Sequence, residues 1–167
     1  MISIKEITVC DAEDHLNLCF QLDTETKFML FEPGERSITL DAHKEFILSL
    51  LNSMNSTMLI AEHNNRLVGH LTVLGGKTRR TRHLGYLVLG ILKEYTGRGI
   101  GTNFFNFLEN WRIKTNIKKF ELTVMVHNYA AIALYKKMGF EIEGIKKKSI
   151  IIDGNYIDEY YMGKTLE

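Results

Sequence analysis

Four stretches of the chain place apolar residues three or four positions apart, the spacing that lines one face of an α-helix. Each stretch therefore predicts an amphipathic helix whose apolar face packs against a core. Asp11 suits the cap of the first helix, because a carboxylate accepts hydrogen bonds from the free amides at a helix start. The predicted helices, with the apolar residues that define them, are residues 11–23 (Leu16, Cys19, Phe20), 41–51 (Phe46, Leu50, Leu51), 102–114 (Phe104, Leu108, Trp111) and 129–138 (Ala131, Leu134, Met138).

Shorter runs rich in aliphatic and β-branched residues predict strands. The only proline, in the pair Pro33-Gly34, marks a turn between the first two helices. Gly90 lies inside an apolar strand, which indicates a bulge or a close approach of the backbone to a neighbour. The predicted strands are residues 4–9, 57–62, 67–74, 84–92, 120–126, 140–145 and a last region, 150–162, that a turn at 153–155 interrupts. This order predicts a mixed α/β chain with both hairpin and crossover connections.

Composition and charge narrow the class of protein. A length of 167 residues with a 45% hydrophobic fraction suits one domain with one core. The formal net charge of +1 gives no global electrostatic case for nucleic acid or for a membrane surface. Cys10 and Cys19 form no metal-ligand pattern, so we expect reduced thiols and no metal site. The first residues resemble neither a signal peptide nor a membrane span, and we expect a cytoplasmic protein.

Three glycines at alternate positions separate an apolar strand from a helix, in the segment 94–105 that reads EYTGRGIGTNFF. A helix N-terminus presents free amides and a partial positive charge, and glycines let a loop bring several amides against an anion. The spacing is neither that of a Walker loop nor that of the dinucleotide fingerprint GxGxxG. The loop alone predicts either a phosphate or pyrophosphate site or a structural turn.

A second motif occupies residues 128–140 and reads NYAAIALYKKMGF. Asn128 suits the N-cap of a helix, and Gly139 suits the residue that follows its end. Tyr135 comes two helical turns after Asn128, so the two side chains can point to the same side. Taken alone, a cap and a half-buried tyrosine would account for this motif.

The two motifs together, GRGIGT and then NYAAIALYKKMGF about twenty-five residues later, resemble the GNAT superfamily of acetyl-CoA-dependent N-acetyltransferases. The resemblance is close over residues 84–140, and the order of elements extends it along the whole chain. It implies a single α/β (α+β) domain over residues 1–167. In that fold a mixed, mostly antiparallel central sheet of about seven strands is flanked by about four helices.

The resemblance also implies a site. The glycine loop would hold the coenzyme A pyrophosphate through its amides, and the preceding strand would bind the pantetheine arm through main-chain groups. Asn128 would contact the pantetheine or diphosphate region, and Tyr135 would protonate the leaving thiolate. The implied cofactor-binding residues are Leu89, Ile91, Gly97, Arg98, Gly99, Ile100, Gly101, Thr102 and Asn128. Thr96 departs from the family pattern, which usually has Arg or Gln there, so one side-chain contact to phosphate is in doubt.

The chemistry of the reaction asks for a base and for an oxyanion site, because only a neutral amine attacks a thioester. Amides of a bulged strand at residues 89–91 would suit the oxyanion. Many relatives carry a glutamate on this strand, but residues 84–90 contain no carboxylate. His83 is the predicted catalytic base, with a solvated residue at the end of a loop as the competing interpretation. Glu32 and Glu35 are the predicted substrate-binding residues, against a plain surface turn, and Glu25 is a weaker candidate.

The predicted function is acetyl transfer from acetyl-CoA to a primary amine, by direct attack in a ternary complex. A small amine or amino acid is the first expectation for the acceptor, and a peptide or protein N-terminus is the second. A non-catalytic acyl-CoA-binding module is a further alternative. The basic run at 77–82 is interpreted as a solvated loop, with the coenzyme 3′-phosphate, an acidic substrate or RNA as alternatives. A homodimer is expected by analogy, without nucleic acid or membrane partners.

Overall fold

A seven-stranded sheet forms the centre of the protein in a computed structural model that describes all 167 residues. The strands are β1 (Ser3–Glu6), β2 (Thr57–His63), β3 (Arg66–Gly75), β4 (Leu84–Ile91), β5 (Lys119–Met125), β6 (Glu141–Ile152) and β7 (Asn155–Thr165). Their spatial order is β1-β2-β3-β4-β5-β7-β6, and only β4 and β5 run parallel. The expectation of a mixed, mostly antiparallel sheet is confirmed.

Four α-helices cover the sheet. They are α1 (Ala12–Glu25), α2 (Leu40–Leu51), α3 (Ile100–Arg112) and α4 (Tyr129–Lys137). Because consecutive residues of β2 and β3 are buried over most of their length, both faces of the sheet centre are covered. The first two helices contact each other and lie against β3 and β2, whereas α3 contacts β1 and β4. None of the helices combines the length and the apolar character needed to cross a bilayer.

The helices were predicted in the right places, but the inward faces only in part. Leu16, Cys19 and Leu50 are buried as predicted, whereas Phe20 and Phe46 are 39% and 38% exposed. Leu18, Leu22 and Ile47, which were not predicted, are almost fully buried on the same two helices. Helical spacing predicts that a stripe exists, but the neighbouring elements decide which of two adjacent stripes faces inward.

The inner face of α4 differs in the same way. Ile132 and Tyr135 are its buried residues, while Ala131, Leu134 and Met138 are only partly buried at the edge of the core. Tyr135 therefore lies deeper than the half-buried position that the motif suggested.

The C-terminal strands are longer than predicted. The predicted strand 140–145 continues through the lysine run 146–148 to Ile152 as part of β6. The turn at 153–155 joins β6 to β7 and does not interrupt a last strand. Most of β6 is exposed and its pairing shifts register after Lys146. Apolar and polar residues therefore do not alternate regularly along it, and the sequence pattern did not indicate the full length of the strand.

The parallel strands β4 and β5 pair only at their beginnings. The ladder joins Leu84 to Lys119, Gly85 to Phe120 and Tyr86 to Glu121, and stops there. Both strands continue beyond that point without pairing to each other. An opening therefore begins after Tyr86, in the middle of the sheet.

Candidate active site

The glycine loop forms a cluster of unused hydrogen-bond donors. Gly97 and Gly99 have φ angles of 74° and 80°, in the left-handed region that favours glycine. Gly99 is the N-cap of α3, so the helix begins at Ile100, two residues earlier than predicted. The first amide of this segment with an acceptor in the chain is that of Asn103, which donates to the Gly99 carbonyl. The six amides of residues 97–102 are thus free to bind an anion at a helix N-terminus.

Gly101 has a different role from the other two glycines. A Cβ at this position would lie 2.5 Å from Cδ2 of Leu134, whereas none would meet an atom within 4 Å at Gly97 or Gly99. Gly101 therefore lets α3 and α4 pack closely, and the loop conformation does not explain it. The alternate spacing of the glycines therefore combines two separate requirements: a left-handed backbone at Gly97 and Gly99, and close helix packing at Gly101.

Two cations lie beside the free amides. The Arg98 guanidinium is 4.9 Å from the centre of the Tyr95 ring. The Lys137 Nζ is 3.4 Å from Oγ1 of Thr102, a position that the sequence did not single out. Thr96 donates its hydroxyl to the Lys93 carbonyl and so completes a local turn. Positive charge next to a helix N-terminus favours a multiply charged anion such as a pyrophosphate.

The main-chain groups of Leu89 and Ile91 face the opening between β4 and β5. The Leu92 amide donates to the Val68 carbonyl, and bonded pairs alternate along an antiparallel ladder. Even-numbered residues of β4 therefore bond to β3, and odd-numbered residues turn their main-chain groups toward β5. Since β5 has separated after Tyr86, Leu89 and Ile91 offer unpaired donors and acceptors to an extended ligand.

The predicted bulge at Gly90 is absent, because the pairing of β3 with β4 runs without a register shift from Gly69 to Gly75. The expectation of a bulge was therefore wrong, and the amides of residues 89–91 belong to a regular strand. The other interpretation of Gly90, a close approach of the backbone to a neighbour, agrees with the structure. A Cβ at Gly90 would lie 2.7 Å from Cδ1 of Leu22 and 3.0 Å from Nε2 of His70.

Asn128 is the N-cap of α4, the helix that follows β5, and Tyr135 lies within that helix. The Tyr135 ring packs edge-on against Phe105, with ring centres 6.2 Å apart, and also contacts Phe140. Burial, with a smaller effect of Tyr86, raises the pKa of the Tyr135 hydroxyl above its ordinary value of 10.0. This hydroxyl therefore keeps its proton at neutral pH. Asn128 accepts from the Ala131 amide with Oδ1 at 3.3 Å, which caps α4 and leaves its Nδ2 without an acceptor in the chain.

The structure does not bring His83 to this opening. His83 is exposed just before β4, and its carbonyl accepts from the amides of Lys118 and Lys119 where β4 and β5 are still paired. At the rise of a β-strand, the six residues from His83 to Leu89 span about 20 Å. The position supports the competing interpretation of a solvated loop end.

Glu32 and Glu35 lie in an exposed turn between α1 and α2. The Glu35 carboxylate accepts from the Glu32 amide at 2.8 Å, so part of its role is to fix the turn. The same segment reaches the opening, since the Phe28 ring is 5.1 Å from that of His127, next to Asn128. Glu25 accepts from the Lys93 amide at 2.6 Å and connects the end of α1 to the segment before the glycine loop.

Comparisons with known proteins agree with this geometry. The chain matches the acetyltransferase (GNAT) family over residues 16–140. It is 34% identical over 111 residues to the L-amino acid N-acetyltransferase AaaT of Escherichia coli, across 64% of this chain and 67% of that protein. The crystal structure of a GNAT-family acetyltransferase from Streptococcus pneumoniae superimposes with a TM-score of 0.96, at 28% identity and full coverage of both chains. The structure of yncA from Salmonella typhimurium with its cofactor acetyl-CoA has a TM-score of 0.87 at 14% identity, covering 99% and 94% of the chains, and is similar in fold alone.

Proposed function

The chain belongs to the GNAT family of acetyl-CoA-dependent N-acetyltransferases, and on that basis we propose that it acetylates the primary amine of a small amine or amino acid within a single domain of residues 1–167. One observation carries the proposal. β4, which borders the opening, leads along the chain directly into the six free amides at the start of α3. A long ligand with an anionic end and an amide-containing arm fits such a path.

Acetyl-CoA would bind along this path. The amides of residues 97–102 would hold the pyrophosphate, with Arg98 and Lys137 supplying positive charge. Leu89 and Ile91 would pair with the pantetheine amides as a missing strand would. The free Nδ2 of Asn128 would donate to the same arm.

The reaction then needs no covalent enzyme intermediate. The neutral amine attacks the thioester carbonyl, a C–N bond forms, and the C–S bond breaks with its electron pair on sulfur. Tyr135 would donate its proton to that thiolate, because burial keeps the hydroxyl protonated. Burial also raises the pKa of the Cys19 thiol to about 11, which makes this thiol a poor nucleophile at neutral pH.

The acceptor would approach from the segment between α1 and α2. Glu32 and Glu35 are exposed carboxylates in that segment and would attract a cationic amine. The similarity to an L-amino acid N-acetyltransferase supports an amino acid as the acceptor.

Calorimetry with acetyl-CoA, followed by thiol release across amines, amino acids and short peptides, tests the proposal. We expect saturable binding and turnover on one class of small amine. Turnover only on peptides would show that the acceptor is a peptide amine and not a small amine or amino acid. Binding without turnover on any amine would favour a non-catalytic acyl-CoA-binding module, and no binding would reject the site itself.

A further inference from the structure

Three histidines from separate elements form a continuous hydrogen-bonded row in the interior. His15 lies on α1, His43 on α2 and His70 on β3, and each is at most 5% exposed. The Nδ1 of His15 is 2.8 Å from Nε2 of His43, and the Nε2 of His15 is 2.9 Å from Nδ1 of His70. The proposed acetyl transfer has so far used none of the three.

These side chains form a chain and not a coordination shell. His15 contacts its two neighbours through different ring nitrogens, which point to opposite sides of the imidazole. The rings of His15 and His43 are parallel within 2° with centres 5.0 Å apart, and those of His15 and His70 are inclined by 63° with centres 4.8 Å apart. The Sγ of Cys19 is 3.9 Å from both nitrogens of His15 and so faces neither lone pair. Metal ligation would require the lone pairs that the histidines already share.

A row of neutral imidazoles can pass a proton. Each neutral ring has one N–H and one lone pair, so all three N–H groups must point along the row in the same direction. A proton added at one end therefore releases a different proton at the other end. Burial first, and then the neighbouring histidines and Arg36, lower the pKa of His15 to about 2; burial and Arg36 lower that of His70 to about 4. Both rings are neutral at pH 7.

The two ends of the row differ. The Nε2 of His70 is buried without any hydrogen-bond partner, which is costly for a polar atom unless it has a use. It faces Gly90, where a Cβ would lie only 3.0 Å away, between the two residues whose main chains line the opening. At the other end, the Nδ1 of His43 also lacks an acceptor in the chain, but it is not among the buried unpaired atoms and so reaches solvent.

We propose that His70, His15 and His43 form a proton relay that removes the proton of the acceptor amine at β4 and delivers it to solvent beside α2. The inference rests on the proposed amine acetylation. As the amine attacks the acetyl carbon, its N–H proton passes to Nε2 of His70, directly or through one water. His70 then gives its Nδ1 proton to His15, and His15 gives its Nδ1 proton to His43. His43 releases a proton from its own Nδ1 to solvent. The thiolate independently takes its proton from Tyr135, which regains one from water before the next turnover.

The surrounding charges suit a relay that does not store the proton. The Arg36 guanidinium makes a bidentate pair with Asp23, at 2.7 and 3.1 Å, and its positive charge disfavours protonation of all three rings. The Cys19 thiol, the other titratable group against the row, stays neutral. A relay of this kind also supplies the base that β4 lacks, since residues 84–90 contain no carboxylate.

The substitution His15→Gln separates proton transfer from packing. A glutamine amide offers one donor and one acceptor and can keep both hydrogen bonds, but it cannot exchange them as an imidazole does. We expect kcat to fall about 100-fold in His15→Gln, with the KM for acetyl-CoA unchanged within twofold and the melting temperature close to that of the wild type. The pH profile of kcat should change as well, because deprotonation of the amine would then depend on bulk water.

His63→Gln is the matched control. This histidine contacts the Tyr95 hydroxyl at 3.1 Å and lies outside the row, so its kcat should be unchanged. A folded His15→Gln enzyme with wild-type kcat and pH profile would overturn the relay. If His15→Gln does not fold, His43→Gln at the outer end gives the same comparison.

A measurement without an acceptor keeps this inference separate from the proposed function. In ¹⁵N spectra of the wild type, a relay requires that all three rings exchange between their two tautomers, and that His15→Gln fixes the tautomers of His43 and His70. Single fixed tautomers in the wild type would overturn the relay even if no amine were acetylated. Absence of turnover on every amine, with exchanging tautomers, would reject the proposed function and leave the relay supported.

Discussion

The glycine loop and the histidine row represent two ways of building a polar site. The loop is six consecutive residues, 97–102, and offers main-chain amides to solvent at the start of one helix. The row is three side chains separated by 28 and 55 positions along the chain and buried between two helices and a strand. A site made of contiguous main chain can be recognised from spacing, whereas a site assembled by the tertiary fold from single residues cannot.

The two regions should also respond differently to their surroundings. The loop amides carry no titratable proton, so acid leaves their hydrogen-bonding capacity unchanged. The histidines are neutral because burial disfavours their charged forms, and acid therefore acts against them.

The largest expected effect is acid destabilisation through the histidine row. The pKa values of His15 and His70 in the folded protein lie below the unfolded value of 6.5, at about 2 and about 4. Above pH 6.5 both states are neutral and stability is flat. As pH falls below 6.5 only the unfolded state binds protons, so stability declines, down to about pH 4 for His70 and about pH 2 for His15. At pH 5.5 each histidine should cost ~1.4 kcal/mol, or ~3 kcal/mol together.

Urea unfolding at pH 7.5 and at pH 5.5 measures this difference in the free energy of unfolding. His70→Gln should remove part of the decline and no more than half, because His15 remains and burial also lowers the pKa of His43. A free energy of unfolding that is equal at both pH values would mean that these rings are not held neutral. In that case the histidine row would resist acid as the glycine loop does, and the two regions would not differ in this respect.

The second largest effect is expected at Tyr135. This residue belongs to the motif that is visible in the sequence, but it would act through its side chain. Tyr135→Phe removes a buried proton donor and keeps the ring that packs on Phe105. We expect kcat to fall ~100-fold while acetyl-CoA affinity stays within about twofold. An assay of thiol release measures kcat, and calorimetry on the same preparation measures the affinity for acetyl-CoA. Tyr129→Phe, on the exposed first turn of α4, is the control and should match the wild type.

The sequence predicted most of the fold but only part of the candidate site. Helices and strands were recognised because their apolar spacing and their caps are local signals, as at Asn128 and Gly139. Two exceptions are informative. Residues 146–149 in the middle of β6 were not predicted as strand, because the segment is mostly exposed and its pairing shifts register there. Gly101 was predicted as a loop residue, although its close contact with Leu134 is what requires a glycine. Both depend on partners that only the folded chain provides.

The histidine row was missed for the same reason. His15, His43 and His70 stand alone in the sequence, each within an ordinary apolar pattern, and no spacing connects them. His83 attracted attention because it adjoins the motif, yet it lies about 20 Å along the strand from Leu89. Proximity in sequence selected a histidine that lies away from the opening, whereas the three buried histidines meet only through the tertiary fold.

The third largest effect is expected from a substitution in the glycine loop itself. Gly99→Ala puts a Cβ into a left-handed conformation with φ of 80°, where there is space but strain of about 1–2 kcal/mol. The loop should relax, misplace its amides, and weaken acetyl-CoA binding about tenfold by calorimetry. Gly154→Ala is matched in strain, with φ of 79° and open space, but lies in the β6–β7 turn. It should lose similar stability and no affinity; equal affinities in both variants would count against the amide cradle.

The smallest effect concerns Asn128, where a structural role and a binding role fall on one side chain. Asn128→Ala removes the cap of α4 and should cost ~1 kcal/mol of stability. Thr39→Ala removes the equivalent cap of α2, where Oγ1 accepts from the Ala42 amide at 3.1 Å, and should cost about as much. Only Asn128→Ala should also weaken acetyl-CoA binding, by roughly fivefold, because its Nδ2 is free to donate to the ligand. If both variants bind acetyl-CoA equally well, Asn128 is a cap alone, and the ligand is held by main-chain groups without help from this side chain.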